Sequence, residues 1–329
     1  MVGRLAENRK SIQDSEMRTV YADFIEKMIL DGKRIVALDA DLMRAIDTYR
    51  LLDKYPEQIV ECGIAEANMV GMAAGLSSEG FIPFVHSFGC FSARRALDQI
   101  FMSCAYAKQN VKILGSDPGV VAALNGGTHT PNEDIAALRA IPEMNIVDIC
   151  DIVMATKLLP QIAETYGNFY IRYPRTSLPR VYDESMEFQL GKAVLLREGS
   201  DLTIIATGIE VSEALDAADE LAKEGIQAQV IDMFTIKPLD TEAIELAARE
   251  TGAIVTAENH NMYGGLGSAV AECLVERCLV PMERVANQDR FGDVGSLRYL
   301  MDEYELSADF IAEKAKKVLH RKQHMGSGL

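Results

Sequence analysis

The sequence predicts an α/β protein of two domains, each a mainly parallel sheet covered by helices. Three observations lead to this. Strand-length apolar runs alternate with amphipathic helical stretches, the alternation breaks once near mid-chain, and 329 residues with 48% hydrophobic content suffice for two cores.

Met17–Leu30 carries apolar residues at helical spacing, and Arg34–Asp39 is an apolar run of the length of a buried strand. Ile64–Leu76 and Arg94–Ala107 read as helices, Pro83–His86 and Val111–Gly115 as strands. Asn145–Asp148 reads as a strand leading to a helix from Asp151, and Phe169–Arg172 closes the series. Sheets of this kind bind ligands at the carboxyl ends of their strands. Pro174, Pro179 and the polar stretch Tyr182–Glu187 then interrupt the pattern, as an interdomain connection does. A second series follows, with strands at Leu202–Ala206, Ile226–Ile231 and Ala253–Ala257 and helices at Ser212–Lys223, Thr241–Arg249 and Ser268–Arg277. The expected domains are therefore 1–185 and 186–322, with 323–329 a small polar tail, a cloning remnant or a frayed end.

The 33 basic against 49 acidic residues give a net charge of −16, which argues against a nucleic-acid partner, since such partners are bound through a basic face. An anionic substrate would need local arginines. The six cysteines form no CxxC pair and sit mostly among apolar residues, as reduced core thiols of a cytosolic protein do, and they speak against a zinc site. The N-terminal charges precede no apolar run, and no stretch of ~18 apolar residues occurs, so a soluble cytoplasmic chain without a membrane partner is expected.

Four places can carry chemistry. Glu66 stands at the start of a helix otherwise rich in small and apolar residues, where Gly71, Ala73, Ala74 and Gly75 suggest close packing around most of the circumference. Desolvation there raises a carboxyl pKa and the helix dipole lowers it; if burial prevails, Glu66 can hold a proton and donate it to a ring nitrogen. The plain alternative is a helix-start acid favoured by the dipole alone. Phe88 and Phe91 leave the end of a strand, placed either to form a flat slot for a planar heterocycle or simply to fill the core. A glycine-rich loop, Gly115–His129, delivers His129, an acid, base or hydroxyl donor if it is not merely a surface residue. Lacking a Gly-Lys-Ser/Thr ending, it is no phosphate loop. Arg172 and Arg175 sit at a strand end and Arg18 opens the first helix, each a fork for an anion or a surface ion-pair partner. In the second domain, Gly264, Gly265 and Gly267 permit a tight strand-to-helix turn, with His260 exposed near the domain contact.

Together and in order, Ala40-Asp-Leu42, Gly63-Ile-Ala-Glu66-Ala-Asn-Met, Ser87-Phe-Gly-Cys-Phe91, Gly126-Gly-Thr-His129, Glu133-Asp-Ile-Ala136, Glu258-Asn-His260 and Gly264-Gly-Leu-Gly267 resemble the C-terminal two-thirds of transketolase, over about Met17 to Val318. The resemblance implies a pyrimidine-binding domain followed by a transketolase-type C-terminal domain. The family's diphosphate domain, with its Gly-Asp-Gly and following asparagine, is not in this sequence. What is implied is thus one half of a split thiamine diphosphate enzyme, whose partner, an N-terminal transketolase subunit, holds the diphosphate and Mg2+. Two copies of each chain are expected, because the family pairs its sites across a two-fold axis. By the same resemblance the reaction moves a two-carbon ketol unit from a ketose to an aldose, on sugars or sugar phosphates. Glu66 contacts the aminopyrimidine and drives its imino tautomer, Phe91 stacks on the pyrimidine with Phe88 beside it, and Ile64 also lines the cofactor. His129 contacts the substrate hydroxyls, and Arg18 and Arg175 grip the anionic end.

Three positions depart from the family pattern, all on the substrate side: Asn125 where an aspartate is usual, Asp117 where a phosphate-contacting histidine is usual, and Ala45 in place of a serine. An acid gained and a phosphate donor lost point to weakened phosphate binding. The sugar then has another anionic group, or its phosphate is held differently. The rival readings are another thiamine diphosphate enzyme, such as a deoxyxylulose-phosphate synthase or a 2-oxoacid dehydrogenase of the beta-chain kind, and a non-catalytic scaffold.

Overall fold

A computed structural model describes residues 1–9, 11 and 15–326. The first half folds as helix α1 (Met17–Leu30), strands β1 (Ile35–Asp39) and β2 (Ile59–Glu61), helix α2 (Glu66–Ser78) and strand β3 (Ile82–Phe88). A helical stretch follows in which π-turns at Phe91–Arg95 and Ile100–Tyr106 flank one α-turn, α3 (Leu97–Gln99). Then come β4 (Lys112–Ser116), α4 (Asp134–Arg139), β5 (Met144–Asp148), α5 (Ile152–Glu164) and β6 (Asn168–Tyr173). The second half runs β7 (Val194–Arg197), β8 (Leu202–Ala206), α6 (Glu210–Lys223), β9 (Ala228–Asp232), β10 (Thr235–Lys237), α7 (Thr241–Thr251), β11 (Ile254–Asn261), α8 (Leu266–Arg277), β12 (Met282–Asn287), α9 (Leu297–Glu303) and α10 (Ala308–Gly326). Of the tail expected over 323–329, residues 323–326 continue α10 and 327–329 lie outside the described residues.

The local causes are plain. β1, β4, β6, β8 and β9 are buried at every position, as parallel strands covered on both faces must be. Asp151 caps α5 by accepting from Met154 N at 2.8 Å, and Gly252, at φ 64°, ends α7. The first sheet has the order β10-β5-β6-β4-β3-β1-β2, the second β12-β11-β8-β9-β7. β10 and β7 are the antiparallel edges. All six cysteines are free thiols, with Cys90, Cys104, Cys150 and Cys273 buried. No described helix is long and apolar enough to cross a membrane.

The halves exchange edges. β10, which comes from the second half, pairs with β5 of the first sheet. In return the N-terminus reaches β7: Gly3 N donates to Leu195 O (2.7 Å) and the terminal amine to Ala193 O (3.0 Å). One apolar cluster joins the two, from Met17, Tyr21 and Leu158 through Leu178, Tyr182 and Phe188 to Leu215 and Ile311.

At the junction Arg172, fully buried, donates from Nε to Asp134 (2.9 Å), from Nη1 to Asp148 (2.7 Å) and from Nη2 to the Asn259 carbonyl (2.8 Å). Burial works against the Arg172 charge, but Asp134 and Asp148 outweigh it and raise its pKa. Nearby Asp232 accepts from Tyr182 Oη at 2.6 Å, while its other oxygen, also buried, has no partner among the described residues. Burial pushes the Asp232 carboxyl up to about 8 and Glu258 up to about 7, and raises Asp148, Asp151 and Glu210 as well. For Asp232 and Glu258 the folded protein keeps a proton that the unfolded chain releases in the ordinary carboxylate range. Their stabilising contribution is therefore complete at low pH and is lost as pH rises toward 7 to 8. Asp232→Asn is expected to flatten part of this slope, so that urea unfolding at about pH 5 and about pH 9 differs less than in the parent; an unchanged difference would clear Asp232 of the effect.

Two expectations need correction. α2 buries one face, Glu66, Met69, Val70, Ala73, Ala74 and Ser77, against β3, β1 and the Phe91–Tyr106 stretch, and leaves Asn68, Met72 and Gly75 exposed. His260 is fully buried rather than exposed, because the end of β11 points into the domain junction, where His260 Nε2 accepts from Ala136 N at 3.4 Å. Burial lowers its pKa to about 4.

Candidate active site

The carboxyl ends of β1, β3, β4 and β6 converge, as parallel order requires. Beneath the site a buried chain crosses three of them: His86 lies 2.6 Å by Nδ1 from Asp39 and 3.0 Å by Nε2 from Ser116 Oγ. It fixes the strand ends from which Phe88 and Asp117 project.

Glu66 is the first residue of α2, where the helix dipole is positive, and is 1% exposed. Its Oε1 accepts from Arg95 Nη1 at 2.6 Å. Its Oε2 is buried without a partner among the described residues, an expensive state for a carboxylate oxygen and one that a ring nitrogen or amine would relieve. Arg95 also lies over the Phe91 ring, 4.0 Å from the centroid. Its side chain is 45% exposed, so it has room to turn outward when a planar ligand takes the ring face.

Phe88, Phe91 and His129 form a triangle of rings, with centroids 6.3 Å apart for the two phenylalanines and 5.4 and 5.2 Å from each to the histidine. Phe88 is buried, Phe91 and His129 half-buried. His129 Nδ1 shares a hydrogen bond with Thr128 Oγ1 at 2.9 Å, which leaves Nε2 for a ligand. Asp117, at the end of β4, binds Arg175, whose guanidinium lies 4.8 Å above the Phe88 ring. Arg18 pairs with Glu16, and its backbone N donates to the Arg175 carbonyl at 3.0 Å. Ile64 stands 74% exposed before α2, and Asn125 is exposed in the loop to His129.

Of the expected residues, Glu66, Phe88, Phe91, His129, Asp117 and Arg175 thus gather at one end of the first sheet. Arg172, weighed as an anion fork beside Arg175, is instead the core cation of the junction. Two contributors escaped the sequence reading. Arg95 carries no signal beyond being one of two adjacent helical arginines. Asn259 locks the loop from β4 to His129 from the second domain: its Oδ1 accepts from Val120 N (2.9 Å) and its Nδ2 donates to Pro118 O (2.8 Å). Gly119, at φ 52°, lies so close that a Cβ would run into Asn259. The glycines of the second-domain turn have a matching reason. Glu258 accepts from Leu266 N (2.6 Å) and Gly267 N (2.7 Å), and a Cβ at Gly265 would occupy the place of that carboxylate.

Two family descriptions match the chain: "Transketolase, pyrimidine binding domain" over residues 13–181 and "Transketolase, C-terminal domain" over residues 191–311. The chain is 49% identical to a 6-deoxy-6-sulfo-D-fructose transketolase subunit of Clostridium sp. (strain MSTE9), over 94% of this chain and 97% of that protein. It is 40% identical to an apulose-4-phosphate transketolase subunit of Phocaeicola vulgatus, over 91% and 96%. A solved structure described as a split gene transketolase, inactive beta4 tetramer, aligns with TM-score 0.85 and 38% identity, covering 93% of this chain and 99% of that one.

Proposed function

The chain belongs to the transketolase family, with that family's pyrimidine-binding and C-terminal domains on one polypeptide, and from this we propose that it is the half of a split transketolase that holds the pyrimidine end of thiamine diphosphate. A partner chain of the N-terminal kind supplies the diphosphate and Mg2+ site, in an assembly with two copies of each chain. Both of the relatives named above are called subunits of a transketolase, which supports the division of labour. The observation that carries the reading is the unpartnered buried oxygen of Glu66, joined through Arg95 to the face of Phe91, an acceptor and a ring face that fit an aminopyrimidine.

When bound, the cofactor supplies the carbon nucleophile. This chain supplies placement and proton handling. Glu66 holds or gives a proton at the pyrimidine nitrogen, Phe91 offers its face to the ring, and the buried wall of Phe88 keeps water from that side. His129 donates to or accepts from the sugar hydroxyl and carbonyl. The ketose C2–C3 bond breaks as its C3 hydroxyl loses a proton, releasing an aldose two carbons shorter. The acceptor aldehyde carbon then gains the two-carbon unit and its oxygen takes a proton, with no net oxidation or reduction. Arg18, Arg175, Asp117 and Asn125 face the distal part of the sugar. The two relatives are named for ketoses ending in a sulfonate and in a phosphate, and we take the ketose here to end in an anionic group.

Thiamine diphosphate is expected to bind, in the presence of Mg2+, to the complex with the partner chain and not to this chain alone, and calorimetric titration of both checks this. Tight binding by the isolated chain would place a diphosphate site here. Turnover separates the enzyme classes: ketose–aldose exchange supports the proposal, pyruvate consumption supports a synthase, and neither supports a scaffold.

A further inference from the structure

Resting on the reading above, we infer that Asp117 sets the charge the substrate site accepts: by occupying Arg175 it disfavours a phosphate dianion and selects a ketose ending in a single fixed negative charge, of the sulfonate class.

The pair is built, not incidental. Arg175 donates to Asp117 Oδ2 from both Nε (2.9 Å) and Nη2 (2.5 Å), and its backbone N reaches Oδ1 at 3.3 Å. Asp117 is 2% exposed and cannot swing aside. Its backbone N donates to Tyr173 O at 3.1 Å, and the carbonyl of the next residue, Pro118, accepts from Asn259. It also sits at φ 54°, a region costly for a residue with a side chain, and such strain persists where the surroundings enforce it.

The charge count follows. Arg175 is neutralised and keeps for a ligand the edge formed by Nη1 and the second N–H of Nη2. Arg18 is tied to Glu16 with both side chains 40% exposed, and an exposed pair of this kind exchanges partners at little cost. Among the described residues named at this end of the site, the cationic capacity is thus one releasable arginine and one edge of another, beside a fixed carboxylate. A sulfonate carries one charge at any working pH. A phosphate monoester carries about −1.5 to −2 near pH 7, and its second charge would face Asp117 where little water screens it.

The test uses the complete two-chain enzyme with thiamine diphosphate, Mg2+ and uncharged D-glyceraldehyde as acceptor, comparing 6-deoxy-6-sulfo-D-fructose with fructose 6-phosphate as donors. The native enzyme is expected to favour the sulfonate in kcat/KM. Its rate on the phosphate alone should climb as pH falls through about 6, where the phosphate takes up a proton. Asp117→Asn, which keeps the shape and tolerates positive φ, should shift the phosphate-to-sulfonate ratio by at least about tenfold toward phosphate and abolish that pH difference. A native preference for phosphate, or an unchanged ratio in the variant, overturns the inference. If neither donor turns over, the split-transketolase reading fails, and calorimetry on the chain alone still decides the role of Asp117. Inorganic phosphate affinity gained in Asp117→Asn, with methanesulfonate as the reference, upholds it; equal phosphate affinity in both proteins overturns it.

Discussion

Glu66→Gln is expected to fold and to join its partner as the parent chain does, yet to turn over roughly 10²- to 10⁴-fold more slowly, the range seen when a positioned acid–base group is lost. The substitution keeps the size and the polar atoms. It removes the ability to exchange a proton at Oε2, a buried oxygen that nothing in the described chain satisfies. It also deprives Arg95 of its anionic partner, so Arg95 should leave the Phe91 face more readily. Cofactor affinity is therefore expected to change far less than turnover. Size-exclusion chromatography of the complex together with steady-state kinetics checks both halves of this statement, and a turnover within about threefold of the parent would remove Glu66 from the chemistry.

Arg172→Met should cost about 3–5 kcal/mol of folding stability, the usual penalty for removing one member of a buried ion cluster. Methionine fills much of the volume but leaves Asp134 and Asp148 facing each other without a cation, and the Asn259 carbonyl without its donor. The deficit should shrink as pH falls, because Asp148, already raised by burial, can then take up a proton. Adding Asp148→Asn should recover part of the loss. Denaturant unfolding at two pH values measures all three effects, and a loss below about 1 kcal/mol would mean that the cluster contributes little.

Long, strongly patterned elements were legible in the sequence. α1 spans Met17–Leu30 as its spacing implied, and β8 spans Leu202–Ala206. β2 and β10, three residues each, were not, since an edge strand that short leaves no alternation to read. β7 and β12 lie at sheet edges and are only partly buried, which blurs the apolar run that marks an inner strand. Glu66 opens α2 and Phe88 ends β3, and Phe91 and His129 lie in the stretches after β3 and β4, placements that the order of motifs implied. Arg172 and Arg175 could not be told apart: three residues separate a core cation from one that binds Asp117 above the Phe88 ring, and only tertiary placement decides. His260 was misjudged for the same reason, because no local pattern reveals that β11 aims at the first sheet.

The exchange of edges between the halves bears on how the chain tolerates being cut. The segment between Tyr182 and Ala193 looks like a linker, but severing it would not free two bodies, since β10 would stay in the first sheet and Met1–Gly3 on β7. The two pieces should behave as a fragment-complementation pair that reassembles when mixed. Neither piece would be whole alone, because the first would expose β5 as a raw edge and the second would lose its cover on β7. The loop that carries Asp117 and His129 has a similar unit of inheritance. The Asp117–His129 loop is latched by Asn259 from the other half, so transplanting the loop between relatives should succeed only when the strand end that latches it travels too.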